Sequence, residues 1–409
     1  MVLVNTAAAN RDPAAYDAPD RVDIAREGRE IAEALNVLAT RLANPRIAGP
    51  VPWKPMVSLS GPRVCPSSST PVASHQPAAR VGSPIVNLRT TSDGAVLVSA
   101  DNFTRAESDL YFSNVVKDSG FGKLMHIREL TPLDKQLVVR SNRDTLYSAG
   151  VFDLDGGPVT VSLPDAGGRF MSMQVITEDH YVPAVFYGPG EHTLTRDDVG
   201  TRYVMIAIRT LVDPNDHADL DEVHGLQDAV AVHQGDTGSF EIPNWDPVSQ
   251  KTVRDALVQL GTTLPDSKQM FGTKDDTDPV RRLIGSAVAW GGNPEKDAIY
   301  FNVHPAKNDG ATAYRLSVDQ VPVDGFWSVT VYNKDGYFTP NPQNAYSLNN
   351  ITAQRGADDK ITIQFGGCSG ATANCLPITP AWNYLVRLYR PQDTILNGEW
   401  TFPEAQPIS

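Results

Sequence analysis

Two hydrophobic periods follow one another along this chain, and their order limits the folds that it can adopt. Short runs of alternating or β-branched residues, bounded by Gly, Pro or Asp, fill residues 83–210 and return after Tyr300. Between them apolar residues recur at helical spacing, as with Leu220, Val223 and Leu226. The 31 glycines and 31 prolines among the 409 residues supply many turns. This order predicts a mainly β fold with a helical insert.

The same changes in composition divide the chain into segments. Residues 1–75 differ in character from the rest, and residues 76–86 are rich in Pro, Ser, Ala and Gly, which predicts a linker. We predict an N-terminal β domain over 87–212, a small helical subdomain over 213–292 and a C-terminal β domain over 293–409.

Several spaced motifs resemble two paired bacterial families of unknown function, DUF1254 and DUF1214. The first family's pattern matches Asn142-Arg143-Asp144-Thr145-Leu146-Tyr147, followed by Asp153 and Gly157-Pro158. The second family's pattern matches DGFWSVTVYNKDGYF, NPQNAYSLNN, LPITPAWNYLVRLYRP and GEWTFPEAQP. The resemblance covers residues 84–409. It implies an immunoglobulin-like β domain, a helical subdomain and a jelly-roll-like C-terminal β-sandwich, assembled as a homo-oligomer, and it implies no particular reaction.

The first 75 residues resemble a different family, the bacterial haem-thiolate cytochrome monooxygenases. The run TAAANRDPAAYDAPDRVDIARE is similar to the segment that precedes their haem loop, and EGREIAEALNVLATRLANPRIAGPVPWKP is similar to the segment after it. The loop that supplies the axial cysteine thiolate is missing between them, and haem needs that proximal ligand. We therefore interpret residues 1–75 as a vestigial fusion segment and expect no haem.

Charge and hydropathy exclude some classes of partner. The chain has 35 basic and 48 acidic residues, a formal net charge of −13, so nucleic acid and anionic membranes are unfavourable partners. It contains no apolar run of about 18 residues, and its first residues lack the pattern of a secretory signal. These features predict a cytoplasmic protein without membrane contact.

The cysteines complicate that prediction of location. Cys368 and Cys375 lie in the Gly-rich stretch GGCSGATANCLPITP, at a spacing that suits a local disulfide. A disulfide would favour a periplasmic or secreted location. Two free thiols are an alternative, and zinc is a weaker one because two thiols cannot complete a tetrahedral site. Cys65 lies in a predicted loop.

The densest polar motif is RSNRDTLYS. If this run is extended, Asn142 and Asp144 share one face, whereas Arg143 and Tyr147 share the other. Asn142 and Arg143 could then hold a substrate anion or carbonyl, with Asp144 and Tyr147 as catalytic candidates. The alternative is structural, since Asn and Asp form turns and Tyr fills cores.

A second polar motif, TEDHYVPAVFYG, follows a predicted strand and contains Asp179 and His180. His180 could act as a general base, or it could be a hydrogen-bonded structural histidine. His126 and Arg128 in KLMHIREL share a face if that stretch is extended, and could complete the substrate site.

Other motifs limit the chemistry further. Trp290 and Tyr332 belong to a large set of C-terminal aromatics that either form cores or line a ligand pocket. The chain contains no HxH, HExxH, nucleotide-binding glycine motif or G-x-S-x-G elbow, so we expect neither a metal nor a nucleotide cofactor.

We therefore expect a cofactor-independent enzyme that hydrolyses, eliminates from or isomerises a small organic molecule. The alternatives are a non-catalytic protein that binds a small ligand or carbohydrate, and an oligomeric structural protein.

Overall fold

Antiparallel β-sheets dominate the part of the chain that the structure describes. The structure is a computed structural model, and it describes residues 89–134, 136, 139–370 and 372–408. The predicted fusion segment 1–75, the linker 76–86 and Cys65 lie outside these residues. The described part confirms the prediction of a mainly β fold with helices.

The elements of the described part are numbered in chain order. The strands are β1 Met125–Ile127, β2 Thr145–Asp153, β3 Val159–Leu163, β4 Met171–Thr177, β5 Val185–Tyr187, β6 Gly190–Leu194, β7 Tyr203–Leu211, β8 Ala231–Gln234, β9 Ala298–Val303, β10 Tyr314–Val318, β11 Trp327–Tyr332, β12 Ser347–Asn349, β13 Ile361–Phe365, β14 Cys375–Leu376, β15 Asn383–Tyr389 and β16 Gln406–Pro407. The α-helices are α1 Phe103–Lys117, α2 Arg196–Val199, α3 His217–Ala229, α4 Pro247–Gly261, α5 Pro279–Val288 and α6 Asp393–Leu396, and a 3₁₀ turn covers Leu154–Gly156.

Two packed sheets form the first β region. A five-stranded sheet has the order β1-β2-β7-β4-β5, and a three-stranded sheet has the order β6-β3-β8. One face of the larger sheet packs on the smaller sheet through a core that includes Val161, Met173 and Ile206. Its long strands β2 and β7 pair in register from Thr145↔Leu211 to Asp153↔Tyr203. Because side chains alternate along a strand, every second residue of β7 points to the other face, away from this core.

Helices cover part of that other face. Tyr111 and Phe112 of α1 pack against Val151 and Met205 of the sheet. Helices α4 and α5 in turn pack on α1, in a core that includes Leu257. Both begin with an Asp cap followed by Pro, a strong start signal for a helix. Helices α4 and α5 lie in the stretch predicted to be helical. The same stretch also contains the strand β8, which pairs with β3. The boundaries at 212 and 292 stay predictions.

The C-terminal β region contains two four-stranded sheets, β14-β13-β10-β16 and β12-β11-β15-β9. Both contribute to one core, in which Leu316 and Ile363 of the first sheet meet Val329 and Val386 of the second. The Cys368–Cys375 disulfide beside β14 has an S–S distance of 2.07 Å, and the predicted local disulfide is confirmed.

The face of β15 that points away from the C-terminal core positions the candidate site. Alternation points Tyr384, Val386 and Leu388 into the C-terminal core and turns Arg387 and Tyr389 to the opposite face. Arg387 reaches the loop before β2 on that face, and Asn142 of this loop bonds to Tyr389. The two β regions therefore meet partly through polar side chains, beside an aromatic contact between Phe170 and Phe326. In the described part no helix has both the length and the apolar character needed to cross a membrane.

Candidate functional site

A fully buried arginine lies at the centre of this polar contact. Arg209 is on β7, where Ile206 and Ile208 point into the sandwich core. Alternation sends Arg209 to the opposite face, and only 1% of its surface is exposed. A charged side chain this deeply buried is unusual unless something compensates its charge.

The protein compensates Arg209 only in part. One terminal nitrogen donates to Gln174 Oε1 at 2.7 Å and to Asn293 Oδ1 at 3.5 Å. The guanidinium carbon lies 5.6 Å from the centre of the Tyr147 ring. The buried Nε has no hydrogen-bond partner among the described residues, and in that same part no carboxylate oxygen lies within 4.0 Å. Burial lowers the pKa of Arg209, but the interactions with Tyr147, Tyr300 and Tyr389, which include a side-chain hydrogen bond with Tyr147, outweigh this effect, so the net pKa shift is upward.

Those three phenols and Asn142 complete a group that we call the Arg209 cluster (Arg209, Asn142, Tyr147, Tyr300 and Tyr389). Asn142 Nδ2 donates to the hydroxyls of Tyr147 at 3.3 Å and Tyr389 at 3.2 Å. Burial raises the pKa of both Tyr300 and Tyr389, so these hydroxyls stay protonated near neutral pH and can donate hydrogen bonds. Tyr147 and Tyr300 are only half-buried, so part of the cluster keeps an exposed surface.

A carboxyl group with an unusual environment lies next to the cluster. Asp297 is 6% exposed, and its Oδ1 accepts a hydrogen bond of 2.9 Å from the hydroxyl of Tyr187. Its Oδ2 is buried and has no partner in the described part of the chain. Burial raises the pKa of Asp297, and the Tyr187 hydrogen bond, Lys296, Arg390 and Arg209 offset only part of that rise. Such a carboxyl can exchange a proton closer to neutral pH than an ordinary one.

The structure places two of the residues predicted from RSNRDTLYS in the cluster, namely Asn142 and Tyr147. The prediction that they face opposite ways is wrong, because β2 begins only at Thr145. The Asp144 backbone N–H donates to Asn142 Oδ1 at 2.6 Å, which bends the chain into a turn before the strand.

Arg143 and Asp144 lie elsewhere and hold the two β regions together. Asp144 Oδ1 accepts hydrogen bonds from Ser347 at 3.0 Å and Asn349 at 3.1 Å, both on β12. Arg143 donates to the Thr131 carbonyl at 3.0 Å and stacks on aromatic rings. They line a pocket of about 20 Å³, which is room for a single water molecule.

His180 lies at the far end of the sheet. Asp144 is hydrogen-bonded to Val212 just beyond β7, whereas the β4 residue nearest to His180, Thr177, pairs with Val204. Eight residues of strand between these levels correspond to roughly 25 Å. The structure therefore does not bring His180 and Asp144 together, and a mechanism that joins them does not hold.

The surroundings of His180 are also unsuitable for a general base. The side chain is fully buried, and its Nε2 accepts a hydrogen bond of 2.8 Å from the Gly291 N–H. Burial and the nearby Arg282 lower the pKa of His180 to about 3. Asp179 beside it forms an ion pair of 2.6 Å with Arg105. Both residues support the turn after β4.

Four predicted substrate-binding residues have packing roles instead. His126 Nδ1 is 2.7 Å from Ser148 Oγ, and Arg128 donates to the His224 carbonyl at 2.8 Å, which attaches α3 to the sheet. Trp290 stacks on Tyr111, with ring centres 4.2 Å apart. The fully buried Tyr332 donates to the Ser141 carbonyl at 2.7 Å. None of the four belongs to the Arg209 cluster.

Sequence reasoning missed Arg209, Asp297 and Tyr187. Arg209 left one signal, because it is a lone cation inside the apolar run YVMIAIRTL. Tyr187 lies in the polar motif TEDHYVPAVFYG but was not singled out there, and Asp297 left no signal because it occurs among ordinary loop residues. In the described part no three His, Cys, Asp or Glu side chains gather as a metal site would require.

Comparisons with known families agree with the spaced motifs of the sequence. The family model "Protein of unknown function (DUF1254)" matches residues 121–193, and "Protein of unknown function (DUF1214)" matches residues 298–393. We call the two matched segments the DUF1254 region and the DUF1214 region, and they follow one another along the chain. The DUF1254 region supplies Asn142 and Tyr147 to the cluster, the DUF1214 region supplies Tyr300 and Tyr389, and Arg209 lies between the two regions.

A solved structure shows a similar fold. The VPA0106 protein from Vibrio parahaemolyticus is 19% identical, with a TM-score of 0.59, over 76% of this chain and 98% of that protein. An uncharacterised protein from Burkholderia cenocepacia is 14% identical, with a TM-score of 0.43, over 76% of this chain and 87% of that one. No protein with a curated description matches the chain.

Proposed function

We propose that this chain is a cofactor-independent enzyme that acts on a small organic anion held at the Arg209 cluster. One observation carries the proposal: Arg209 is fully buried, has an unsatisfied Nε and has no carboxylate within 4.0 Å in the described part. Burying an uncompensated charge is costly, and an anionic group brought by a ligand would supply the missing partner.

A second buried arginine shows how this protein satisfies a purely structural guanidinium. Arg387 donates to Thr330 Oγ1 at 2.8 Å, to the Arg140 carbonyl at 2.9 Å and to the Tyr332 hydroxyl at 2.7 Å. It also lacks a carboxylate within 4.0 Å among the described residues, yet backbone and side-chain oxygens satisfy it. Arg209 is as deeply buried, but its Nε has no hydrogen-bond partner among the described residues, and this difference supports a role for Arg209 in holding a ligand.

The chemistry follows from the groups around the arginine. Arg209 offers a planar, permanently charged donor to a carboxylate or to a developing oxyanion. The protonated hydroxyls of Tyr300 and Tyr389 add neutral donors that remain in place as charge develops. Asp297, whose pKa is raised by burial, is the group that would accept or return a proton.

The test is mass-spectrometric profiling of a metabolite extract incubated with the wild type, Arg209→Met and Asp297→Asn. We expect an anionic compound that the wild type consumes, that Asp297→Asn binds without converting, and that Arg209→Met binds about 10- to 100-fold more weakly, as the loss of a charged hydrogen bond implies. Arg315→Gln is the matched control, because Arg315 is exposed on β10.

Two other outcomes would change the proposal. Unchanged consumption by Arg209→Met would overturn the assignment of the site. Binding that depends on Arg209 with no conversion by the wild type would leave a binding protein in place of an enzyme.

A further inference from the structure

An open cleft lies on the surface beside the Tyr187–Asp297 pair. It has a volume of about 670 Å³, and the turn at Gly167 and Gly168, the end of β5 and the residues after β15 all contribute to its walls. Tyr187 lines this cleft, and its hydroxyl donates to the buried Asp297. The cleft therefore adjoins the residues of the proposed function without including Arg209.

Arg390 is the residue of the cleft wall that is best placed to bind a negatively charged group. Its guanidinium carbon lies 4.6 Å from the centre of the Tyr187 ring. In the described part no carboxylate oxygen lies within 4.0 Å of its nitrogens. Hydrogen bonds hold its backbone at both ends, from the Arg390 N–H to the Asp297 carbonyl at 2.9 Å and from the Asp324 N–H to the Arg390 carbonyl at 2.8 Å. A guanidinium fixed on an aromatic ring and facing a cleft is a suitable partner for a carboxylate.

The other charged side chains of the cleft are mostly acidic, so they repel a ligand that carries only negative charge. Arg169, the second arginine of the wall, is already neutralised by Asp219 at 2.5 Å and Glu222 at 3.0 Å. Four further carboxylates line the cleft without an ion pair in the described part of the chain: Asp165, Asp213, Asp216 and Asp324. A ligand with only negative charge meets these groups, whereas a ligand with only positive charge leaves Arg390 unpaired.

We propose that this cleft binds a small zwitterion of the amino-acid class, with its carboxylate on Arg390 and its ammonium group toward the acidic wall. This site goes beyond the proposed function, since its ligand contacts differ from those of the Arg209 cluster. The two sites share the Tyr187–Asp297 pair between them. A molecule that carries both charges satisfies both parts of the wall at once.

The test uses saturation-transfer NMR with a pool of the twenty proteinogenic amino acids and the full chain. The amino acid with the strongest signal is then compared in titrations with its decarboxylated amine and its deaminated acid. We expect each analogue to bind at least about tenfold more weakly than the amino acid, because each loses a charge-assisted hydrogen bond. Arg390→Gln should remove the binding, and Arg315→Gln should retain it.

Four results would overturn the proposal. These are no signal from the pool, equal binding by the deaminated acid, equal binding by the amine, or unchanged binding in Arg390→Gln. Arg209→Met separates this proposal from the previous one, because it should lose the anionic substrate of the Arg209 cluster and keep the amino acid.

Discussion

At the scale of single residues, two buried arginines show how different roles arise from the same side chain. Arg387 meets backbone and side-chain oxygens and closes a network between β11, β15 and the loop before β2. Arg209 meets two amide oxygens and phenols, and its Nε is unsatisfied. We infer that Arg387 stabilises the fold, whereas Arg209 gives up some stability in favour of a ligand.

This contrast predicts that the same substitution destabilises the protein by different amounts at the two positions. Arg387→Met should lower the free energy of unfolding by about 3–5 kcal/mol, because it leaves buried partners unsatisfied. Arg209→Met should lower it by less, about 1–2 kcal/mol, because removal of an incompletely paired buried charge offsets part of the cost of leaving Gln174 Oε1 without its donor. Urea unfolding of both variants measures the difference. A loss in Arg209→Met as large as that in Arg387→Met would show that Arg209 is structural.

Residue types in the sequence predicted part of the candidate site. Asn142 and Tyr147 could be predicted, because a dense polar motif before a strand is uncommon. Arg209 lies 62 residues after Tyr147 in sequence yet directly opposite it in the sheet, in the pair Tyr147↔Arg209. Only the register of β2 and β7 brings them together, and a single sequence does not contain that register. The position of Asp297 next to the cluster depends in addition on how the second β region packs on the first.

At the scale of elements, the short strand β12 is attached to the first β region through one carboxylate. Asp144 precedes β2, is 1% exposed and accepts hydrogen bonds from Ser347 and Asn349 of β12. Composition predicted the two β-rich stretches, residues 83–210 and the stretch after Tyr300, since runs of β-branched residues between turn formers are typical of strands. Composition gave no indication of this connection, because the connection joins residues about 200 positions apart.

Removal of that connection should destabilise the protein. Asp144→Ala should lower the free energy of unfolding by about 2–4 kcal/mol, since the buried Asn349 and the partly buried Ser347 lose their acceptor. A double-mutant cycle with Asn349→Ala should give a coupling energy of about 1–3 kcal/mol. Asp319→Ala is the control, because Asp319 is exposed, and it should change stability by less than about 0.5 kcal/mol. A coupling energy near zero would contradict the contact.

At the scale of the whole molecule, buried titratable groups make stability depend on pH. Burial and Arg282 lower the pKa of His180 to about 3, against roughly 6.5 in an unfolded chain. Between these values the unfolded state binds the proton and the folded state does not, so the protein loses stability as the pH falls from 6.5 toward 3. Asp109 acts in the opposite direction, because burial raises its pKa to about 6 and the folded state takes up its proton first.

The contribution of His180 can be isolated by substitution. Between pH 6.5 and pH 4.5 the wild type should lose about 2 kcal/mol more than His180→Gln, since each pKa unit corresponds to about 1.4 kcal/mol. His304→Gln, which replaces an exposed histidine, should retain the wild-type slope. Chemical denaturation at both pH values gives the comparison. Equal slopes in the wild type and His180→Gln would show that His180 does not cause this loss.

The Cys368–Cys375 disulfide closes a short loop between β13 and β14, two strands that pair in parallel. A protease that cut the backbone inside this loop would leave the two pieces covalently joined. Both new ends would stay next to their strands, and the nicked protein would keep its full mass until a reductant separated the pieces. The loop can therefore tolerate a break in the chain that would release the C-terminal strands elsewhere.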